Sequence, residues 1–358
     1  MNWLHDNLTG AGKRPVPLAF PDGTRLLVLP EHGRLLGLCP AGDDTNLLWT
    51  NPALDGAETA KAYFARPGWP NPGGDRTWLA PEIELFIGDL KRVFETYAVQ
   101  PALDPGRWTL DAATAAEVSL VNATRVRFHR QNLEVGVRVR KTYRAAVNPL
   151  QGTALARVGL HYAGYTLVTT LEVEPLPAAP VRLGIWNLLQ LPQPGTMLIS
   201  TRGPGRPHVV FGAPAAGELT AGPNLVRWNM APPGGDAKIS IKAQPLTGRA
   251  GYIPLTLAPQ PSPLDPCDLV VREFAVGPES DYVDALWEPP HEAGWTFQAC
   301  CVRNGAERFN ELEYHVPAAT AVAGKNSSRD ETRVWAFRGP ADAVAEAARS
   351  LLGEAAVA

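Results

Sequence analysis

Residues 124–140 read Thr-Arg-Val-Arg-Phe-His-Arg-Gln-Asn-Leu-Glu-Val-Gly-Val-Arg-Val-Arg, with apolar and polar side chains alternating on both sides of the central Arg-Gln-Asn. Val126 and Phe128 share one face of the first half, and a row of apolar residues runs from Leu133 to Val139 in the second half. Successive side chains of a strand point to opposite faces, so this pattern is typical of strands with one buried and one wet face. The segment therefore predicts an antiparallel hairpin that turns at the central Arg-Gln-Asn.

Short apolar runs of strand length continue through most of the chain. The 35 Pro and 33 Gly residues separate these runs, a pattern typical of a protein with many strands joined by frequent turns. Helical periodicity is clear only near the C-terminus, where Pro340 fits the first position of a helix. An apolar stripe follows it, formed by Val344, Ala347, Leu351 and Leu352. We predict an all-β protein, one continuous domain over residues 1–358, with a short C-terminal helix and with loops over residues 51–106.

The composition excludes several classes of partner. Of the 358 residues 45% are hydrophobic and 19% charged, as in a globular protein with a sizeable core. Lys and Arg total 33 and Asp and Glu 36, and the net charge is −3 with neutral His. Nucleic acids and membrane surfaces are bound through concentrated basic patches, so we predict neither as a partner. The chain start lacks the pattern of a secretion signal, and no apolar run reaches the roughly 18–20 residues of a spanning helix, which predicts a cytoplasmic protein.

Residue types that bind metals are scattered. The 4 Cys residues contain no Cys-x-x-Cys pair, and the 7 His residues are too dispersed to suggest a zinc site. Cys300 and Cys301 are adjacent in an apolar run, and we interpret them as small core residues. We therefore predict neither a metal nor an organic cofactor. The alternative is a divalent cation held by the Asp and Glu side chains within residues 68–82.

The most unusual stretch is Gly68-Trp-Pro-Asn-Pro-Gly-Gly-Asp-Arg-Thr-Trp-Leu-Ala-Pro-Glu82. Aromatic faces cover the apolar patches of sugars, and charged side chains satisfy their hydroxyl groups. We interpret the stretch as a loop stiffened by Pro and Gly, which lowers the entropic cost of binding. The candidate sugar-binding residues in it are Trp69, Asp75, Arg76, Trp78 and Glu82. The alternative is a structural loop in which Arg76 pairs with a nearby carboxylate and the two Trp side chains fill the core.

A second candidate segment is Phe309–Pro317, which reads Phe-Asn-Glu-Leu-Glu-Tyr-His-Val-Pro. In a strand, Glu311, Glu313 and His315 share one face. Two carboxylates and an imidazole in one row supply the groups for general acid–base catalysis. The alternative is a polar stripe that faces solvent on an outer strand.

Two basic residues are weaker candidates for binding an anionic sugar. Lys238 lies in the run Ala237-Lys-Ile-Ser-Ile-Lys-Ala243, on the face opposite Ile239 and Ile241. Arg249 follows shortly after this run. Ordinary surface cations are the alternative for both residues.

Several of these segments together resemble the galactose-mutarotase-like superfamily, in a branch related to the aldose 1-epimerases. The matching segments are Glu31–Leu38, Asn46–Asn51, Gly73–Glu82, Phe309–Pro317 and Val334–Phe337 with the following helix. The resemblance implies a β-supersandwich of large antiparallel sheets with a sugar in a concave cleft. It also implies that a late-strand glutamate, Glu311 or Glu313, removes the proton of the anomeric hydroxyl while a histidine protonates the ring oxygen.

The chain departs from that family at the histidine. The epimerases carry an Asn-His-x-Tyr-Phe-Asn type segment in mid-chain, whereas the comparable region Gly184–Pro192 contains no His. Arg76, His315 and His161 are imperfect substitutes. Because Glu311, Glu313 and His315 share one strand face, the sequence nevertheless favours an aldose 1-epimerase-like isomerase with a small carbohydrate ligand. It leaves open a non-catalytic carbohydrate-binding protein, or a lyase or hydrolase on the same scaffold, and does not predict the oligomeric state.

Overall fold

The structure is a computed structural model of the 358-residue chain. It describes residues 1–157, 159–176, 181–230, 234–255, 265–288, 290–303, 307–353 and 356. Among these residues, no helix is long and apolar enough to cross a membrane.

The first of two large antiparallel sheets, sheet I, carries the candidate site. Its strands, in spatial order, are β1 (Val16–Ala19), β2 (Arg25–Leu29), β3 (Arg34–Cys39), β4 (Asp75–Ala80), β9 (Arg182–Pro192), β18 (Phe309–His315), β17 (Trp295–Val302), β14 (Ala237–Lys242) and β11 (His208–Phe211), with β19 (Ala319–Thr320) paired to β9. The strands from opposite ends of the sequence meet at its centre, where β9 lies between β4 and β18.

Sheet II packs against one face of sheet I. Its strands, in spatial order, are β12 (Leu219–Ala221), β13 (Leu225–Met230), β10 (Gly195–Thr201), β15 (Leu246–Pro254), β16 (Cys267–Glu273), β20 (Ser327–Gly339), β8 (His161–Val173), β7 (Leu133–Ala145), β6 (Glu117–Phe128) and β5 (Thr109–Ala113). The predicted all-β class with large antiparallel sheets is confirmed.

The hairpin of residues 124–140 forms as predicted. Strands β6 and β7 pair from Glu117 opposite Arg144 to Phe128 opposite Leu133, so both are longer than the alternating segment alone indicated. Val126 and Val135 are fully buried. The alternation of the sequence therefore identifies the face that packs in the core.

Helices lie outside the two sheets. They are α1 (Asn2–Gly10), α2 (Ala57–Ala65), α3 (Glu82–Leu85), α4 (Val93–Thr96) and α5 (Ala341–Leu352). The predicted C-terminal helix is confirmed as α5, which packs Val344 and Leu351 on the outer face of sheet II beside Leu269 and Phe337. Helices α1 and α2 were not predicted, because each buries only two side chains of its own and shows little periodicity.

The prediction of loops over residues 51–106 is wrong in part. This region contains α2, α3, α4 and, most importantly, β4, a fully buried central strand. The Gly-Gly pair before β4 stands where two backbones touch: Gly74 has a φ of +77°, and a Cβ there would lie 2.0 Å from the Leu35 carbonyl oxygen. Any side chain at this position would force β3 and β4 apart.

Candidate active site

One pocket, about 410 Å³ in volume, opens on the face of sheet I that points away from sheet II. Strands β4, β9, β18, β17 and β14 form its floor, and segments around α3 and α4 form its walls. The sequence-predicted residues that line it are Trp69, Arg76, Trp78, Glu82, Lys238, Glu311 and Glu313. Residues far apart in the sequence therefore meet in one cavity.

The strand register explains this convergence. Glu311 lies opposite Gln190 of β9 and opposite Cys300 of β17, which in turn lies opposite Lys238 of β14. Directly opposed residues have side chains on the same face of a sheet, so these four side chains form one row across the floor. Glu313 lies two residues further along β18 and points the same way.

Glu311 is held in a buried ion pair. Arg76 Nη2 lies 2.8 Å from Glu311 Oε1, and Gln190 Nε2 donates to the same oxygen at 3.1 Å. The Arg76 guanidinium stacks over the Trp78 ring at 3.8 Å and lies 5.2 Å from the Trp69 ring. These contacts stabilise the charged carboxylate of Glu311 and fix its orientation.

Glu313 has a different environment although it lies only two residues away. Trp186 Nε1 donates to Glu313 Oε2 at 3.0 Å, and Lys238 Nζ lies 3.4 Å from that oxygen. Burial, opposed by the charge of Lys238 and reinforced by that of Glu311, raises the pKa of Glu313 to about 8. Burial therefore favours the protonated form of Glu313 at neutral pH.

The balance of buried charges on the floor also favours the protonated form of Glu313. Glu82 is the third buried carboxylate of the pocket and accepts hydrogen bonds from Tyr97 Oη at 3.2 Å and Trp287 Nε1 at 3.3 Å. Lys238 Nζ lies 3.6 Å from its Oε2 atom. The two cations Arg76 and Lys238 balance two carboxylates, and protonation of Glu313 makes the buried floor neutral, as its low polarity favours.

Some polar atoms of the floor make no hydrogen bond within the described part of the chain. They include Nε and Nη1 of Arg76, Oε1 of Gln190 and Oε1 of Glu313. Buried donors and acceptors without partners cost free energy. A ligand hydroxyl group can accept a hydrogen bond from the Arg76 nitrogens and can also pair with Glu313 Oε1. The floor thus offers partners suited to hydroxyl groups.

Solved structures of other proteins are similar to this chain over most of its length. The Slr1438 protein from Synechocystis sp. PCC 6803 is 13% identical with a TM-score of 0.50, and the match covers 92% of this chain and 96% of that one. A galactose mutarotase-like protein from Lactobacillus casei ATCC 334 is 10% identical with a TM-score of 0.49, covering 90% and 100%. The galactose 1-epimerase from Lactobacillus acidophilus NCFM is 10% identical with a TM-score of 0.41, covering 90% and 93%.

The match to Slr1438 spans both sheets and agrees with the architecture described above. The chain has a galactose-mutarotase-like fold. At these identities the likeness concerns the fold alone. No protein-family model matches the chain, and no curated protein sequence matches it.

His315 lies outside the pocket of this galactose-mutarotase-like fold. It is 1% exposed, and its ring stacks on that of Trp186 with 5.2 Å between centroids. Burial and the charge of Lys238 lower the pKa of His315 to about 3, and Nε2 lies 3.5 Å from Asp284 Oδ2. The imidazole is therefore neutral and supports the ring of Trp186. A catalytic role for it stays a prediction.

Asp75 and Arg249 are not brought to the pocket. Asp75 points from β4 toward sheet II, where Arg272 Nη2 lies 2.9 Å and Tyr165 Oη 2.6 Å from its Oδ2 atom. Arg249 lies on β15 of sheet II and pairs with Glu273 at 2.8 Å. The first contact joins the two sheets of the galactose-mutarotase-like fold, and the second lies on the surface of sheet II. Sugar binding by either residue stays untested and gains no support from its position.

A cluster of potential metal ligands lies on the floor. Atoms of Cys300, Glu311 and Glu313 lie within 4.8 Å of one another. However, burial raises the pKa of the Cys300 thiol well above its usual value, and both carboxylates already contact cationic side chains. A protonated thiol and neutralised carboxylates are poor ligands for a metal ion.

Several residues of the pocket are not predicted from the sequence. Cys300 was interpreted as a core residue, but it lines the floor. Trp186 was considered only as part of a segment without His, although its indole N–H orients Glu313. The aromatic residues Phe94, Phe211 and Trp287 complete one wall. Each is an isolated aromatic residue in a segment without regular apolar periodicity. No sequence pattern distinguishes these three residues from core residues.

Proposed function

We propose that the protein is an aldose 1-epimerase-like isomerase that interconverts the anomers of a reducing sugar by acid–base chemistry. The observation that carries the proposal is the pairing of Glu311 and Glu313 on one face of β18. One is held as a carboxylate by Arg76, and the other is held as a carboxylic acid by burial. Two neighbouring carboxyl groups, one paired with a cation and the other buried in its acid form, supply a base and an acid at the same pH.

In the proposed reaction Glu311 accepts the proton of the anomeric hydroxyl while Glu313 gives its proton to the ring oxygen. The bond between the anomeric carbon and the ring oxygen breaks, and an open-chain aldehyde forms. Rotation about the adjacent carbon–carbon bond presents the other face of the aldehyde. On closure the hydroxyl returns its proton to Glu313, and Glu311 protonates the former carbonyl oxygen, so neither residue changes over a cycle.

The position of both carboxyl groups on one face of one strand favours this reaction over glycoside hydrolysis. The anomeric hydroxyl and the ring oxygen are bonded to one carbon, so two groups within 4.8 Å on one strand reach both from one side. Glycosidases instead place their two carboxyl groups on either side of the bond that they cleave. The indole ring of Trp69, which is 37% exposed and lines the pocket, offers a flat surface for the apolar face of the sugar.

The missing mid-chain histidine is consistent with Glu311 as the base and Glu313 as the acid. Strand β9 carries Trp186 beside Glu313, and its indole nitrogen donates to Oε2. Oε1 is then the oxygen that carries the proton, since it receives no hydrogen bond from the described residues. In this proposal a protonated glutamate takes over the task for which the epimerases use histidine.

The proposal is tested by polarimetry. Freshly dissolved single anomers of a panel of aldoses and uronic acids are followed with and without the protein. Acceleration for at least one sugar supports the isomerase. A rate equal to that of buffer for every sugar that binds the protein would instead support a non-catalytic carbohydrate-binding protein.

The acid role of Glu313 predicts the pH dependence of the rate. Because Glu313 must be protonated, the rate in excess of the buffer rate is expected to fall as the pH rises through about 8. The charge of Lys238 lowers the pKa of Glu313, so Lys238→Met should raise this pKa and move the alkaline limb to higher pH. Rates measured by polarimetry from pH 5 to 10 give the alkaline limb of the wild type and that of Lys238→Met.

The matched control is Lys242→Met, which removes a lysine from the same strand. Lys242 pairs with Glu292 outside the pocket, so its loss should leave the alkaline limb where it is. A limb that stays in place or moves to lower pH in Lys238→Met would contradict the assignment of the acid.

A further inference from the structure

The pocket has two chemically different halves. Its floor holds the charged residues of sheet I, whereas one wall consists of Phe94, Phe211 and Trp287, which we call the aromatic rim. The rings of Phe211 and Trp287 are stacked with 5.0 Å between centroids. Phe94 meets both edge-on, at 5.9 Å and 5.3 Å. The rim is therefore a continuous aromatic surface.

The packing of the protein does not account for this surface. The Phe94 side chain is 74% exposed and projects from α4, a helix of four residues. An exposed aromatic residue gains little stability from burial, and apolar surface that adjoins a pocket marks a site of interaction. The position of the rim at the edge of the pocket indicates that its occupant is continuous with the ligand of the floor.

The chemistry of the rim selects an apolar occupant over a second sugar ring. The two phenylalanines have no polar side-chain atom. The indole nitrogen of Trp287 already donates to Glu82. A sugar ring would gain contact with this wall only through its C–H face, and hydroxyl groups that face the three side chains would lose hydration without a hydrogen-bond partner there. An aryl group, in contrast, gains both burial and ring stacking.

We propose that the substrate is a reducing sugar that carries an uncharged aryl substituent, with its sugar ring on the floor and the aryl group on the aromatic rim. The proposal rests on the proposed isomerase function, which requires a free anomeric hydroxyl. The substituent is therefore attached at another position of the ring. The pocket volume of about 410 Å³ agrees with this, because pockets of about 300–1,000 Å³ accommodate ligands of drug size, larger than one monosaccharide.

The test compares the affinities of three sugars by isothermal titration calorimetry. The ligands are D-glucose, 6-O-benzyl-D-glucose and melibiose, whose reducing glucose carries a second sugar at the same position. The wild-type protein is expected to bind the benzyl sugar at least about tenfold more tightly than either of the others. Phe94→Ala is expected to lose most of that preference. Trp3→Ala, which removes a 40% exposed aromatic side chain on α1, should keep the preference.

Each result has one meaning. Equal affinities of the wild-type protein for glucose and benzylglucose, or a preference that survives in Phe94→Ala, would overturn the proposal. An equal gain for melibiose would overturn it too and make the rim a second sugar subsite. Calorimetry requires no turnover, so anomer exchange without aryl preference refutes only this inference. Aryl preference without anomer exchange refutes only the proposed reaction.

Discussion

Replacing Glu313 with Gln is expected to slow the interconversion of sugar anomers by about 10²- to 10⁴-fold, the range that a lost general acid costs. The amide has the shape of the acid and still accepts a hydrogen bond from Trp186, but it has no proton to give to the ring oxygen. Glu311→Gln should cause a loss of the same order because it removes the base. Polarimetry with a sugar that the wild-type protein turns over measures both effects.

The two variants differ in their expected stability, which separates chemistry from folding. Glu311→Gln leaves the charge of Arg76 buried without its carboxylate, so we expect a loss of about 3–5 kcal/mol in the free energy of unfolding. Glu313→Gln removes a group that folding keeps protonated. Relative to the wild type, this variant should gain stability as the pH rises from about 4.5 through about 8.

The control for both variants is Glu292→Gln, which removes the charge of a glutamate outside the pocket that pairs with Lys242. It should turn over the sugar at the wild-type rate. If Glu313→Gln or Glu311→Gln, folded by near-ultraviolet circular dichroism, also keeps that rate, the acid–base assignment is wrong.

The second large effect concerns stability rather than chemistry. Asp75→Asn is expected to lower the free energy of unfolding by about 3–5 kcal/mol, because it leaves the buried charge of Arg272 without its partner. Both side chains are 0% exposed, and the pair joins β4 of sheet I to β16 of sheet II. Urea denaturation followed by tryptophan fluorescence measures the change.

The matched control is Asp281→Asn, which breaks the pair with Arg182 on the surface. Exposed ion pairs contribute about 0–1 kcal/mol, so this variant should unfold close to the wild type. Asp75→Asn with wild-type stability and a lost affinity for sugars would show that Asp75 serves the ligand, as the sequence alone suggested.

Local alternation in the sequence was enough to predict some of the strands and several side-chain faces. The face shared by Glu311 and Glu313 follows from their spacing of two, and the hairpin at residues 124–140 follows from the same rule. What spacing cannot supply is the pairing of distant strands. The contact between Arg76 and Glu311 depends on β9 lying between β4 and β18, and only the resemblance to a known family placed these segments together.

The prediction that Asp75 faces the same ligand as Arg76 treats its segment as a loop. In a loop, neighbouring side chains can converge on one ligand, whereas in β4 alternation turns Asp75 and Arg76 to opposite faces of sheet I. The Gly and Pro residues before β4 suggested a loop. Gly74 is present because β3 approaches closely, which no single sequence reveals. The aromatic rim had no sequence signal, since its three residues come from separate segments.

The most direct test of the central claim is proton NMR exchange spectroscopy on the wild-type protein with reducing sugars, uronic acids and 6-O-benzyl-D-glucose. The proposal predicts that magnetisation passes between the anomeric proton signals of at least one sugar faster than in buffer, and that the transfer weakens above pH 8. Saturation transfer from the protein to a bound sugar, with anomer exchange no faster than in buffer for every sugar on the panel, would contradict it.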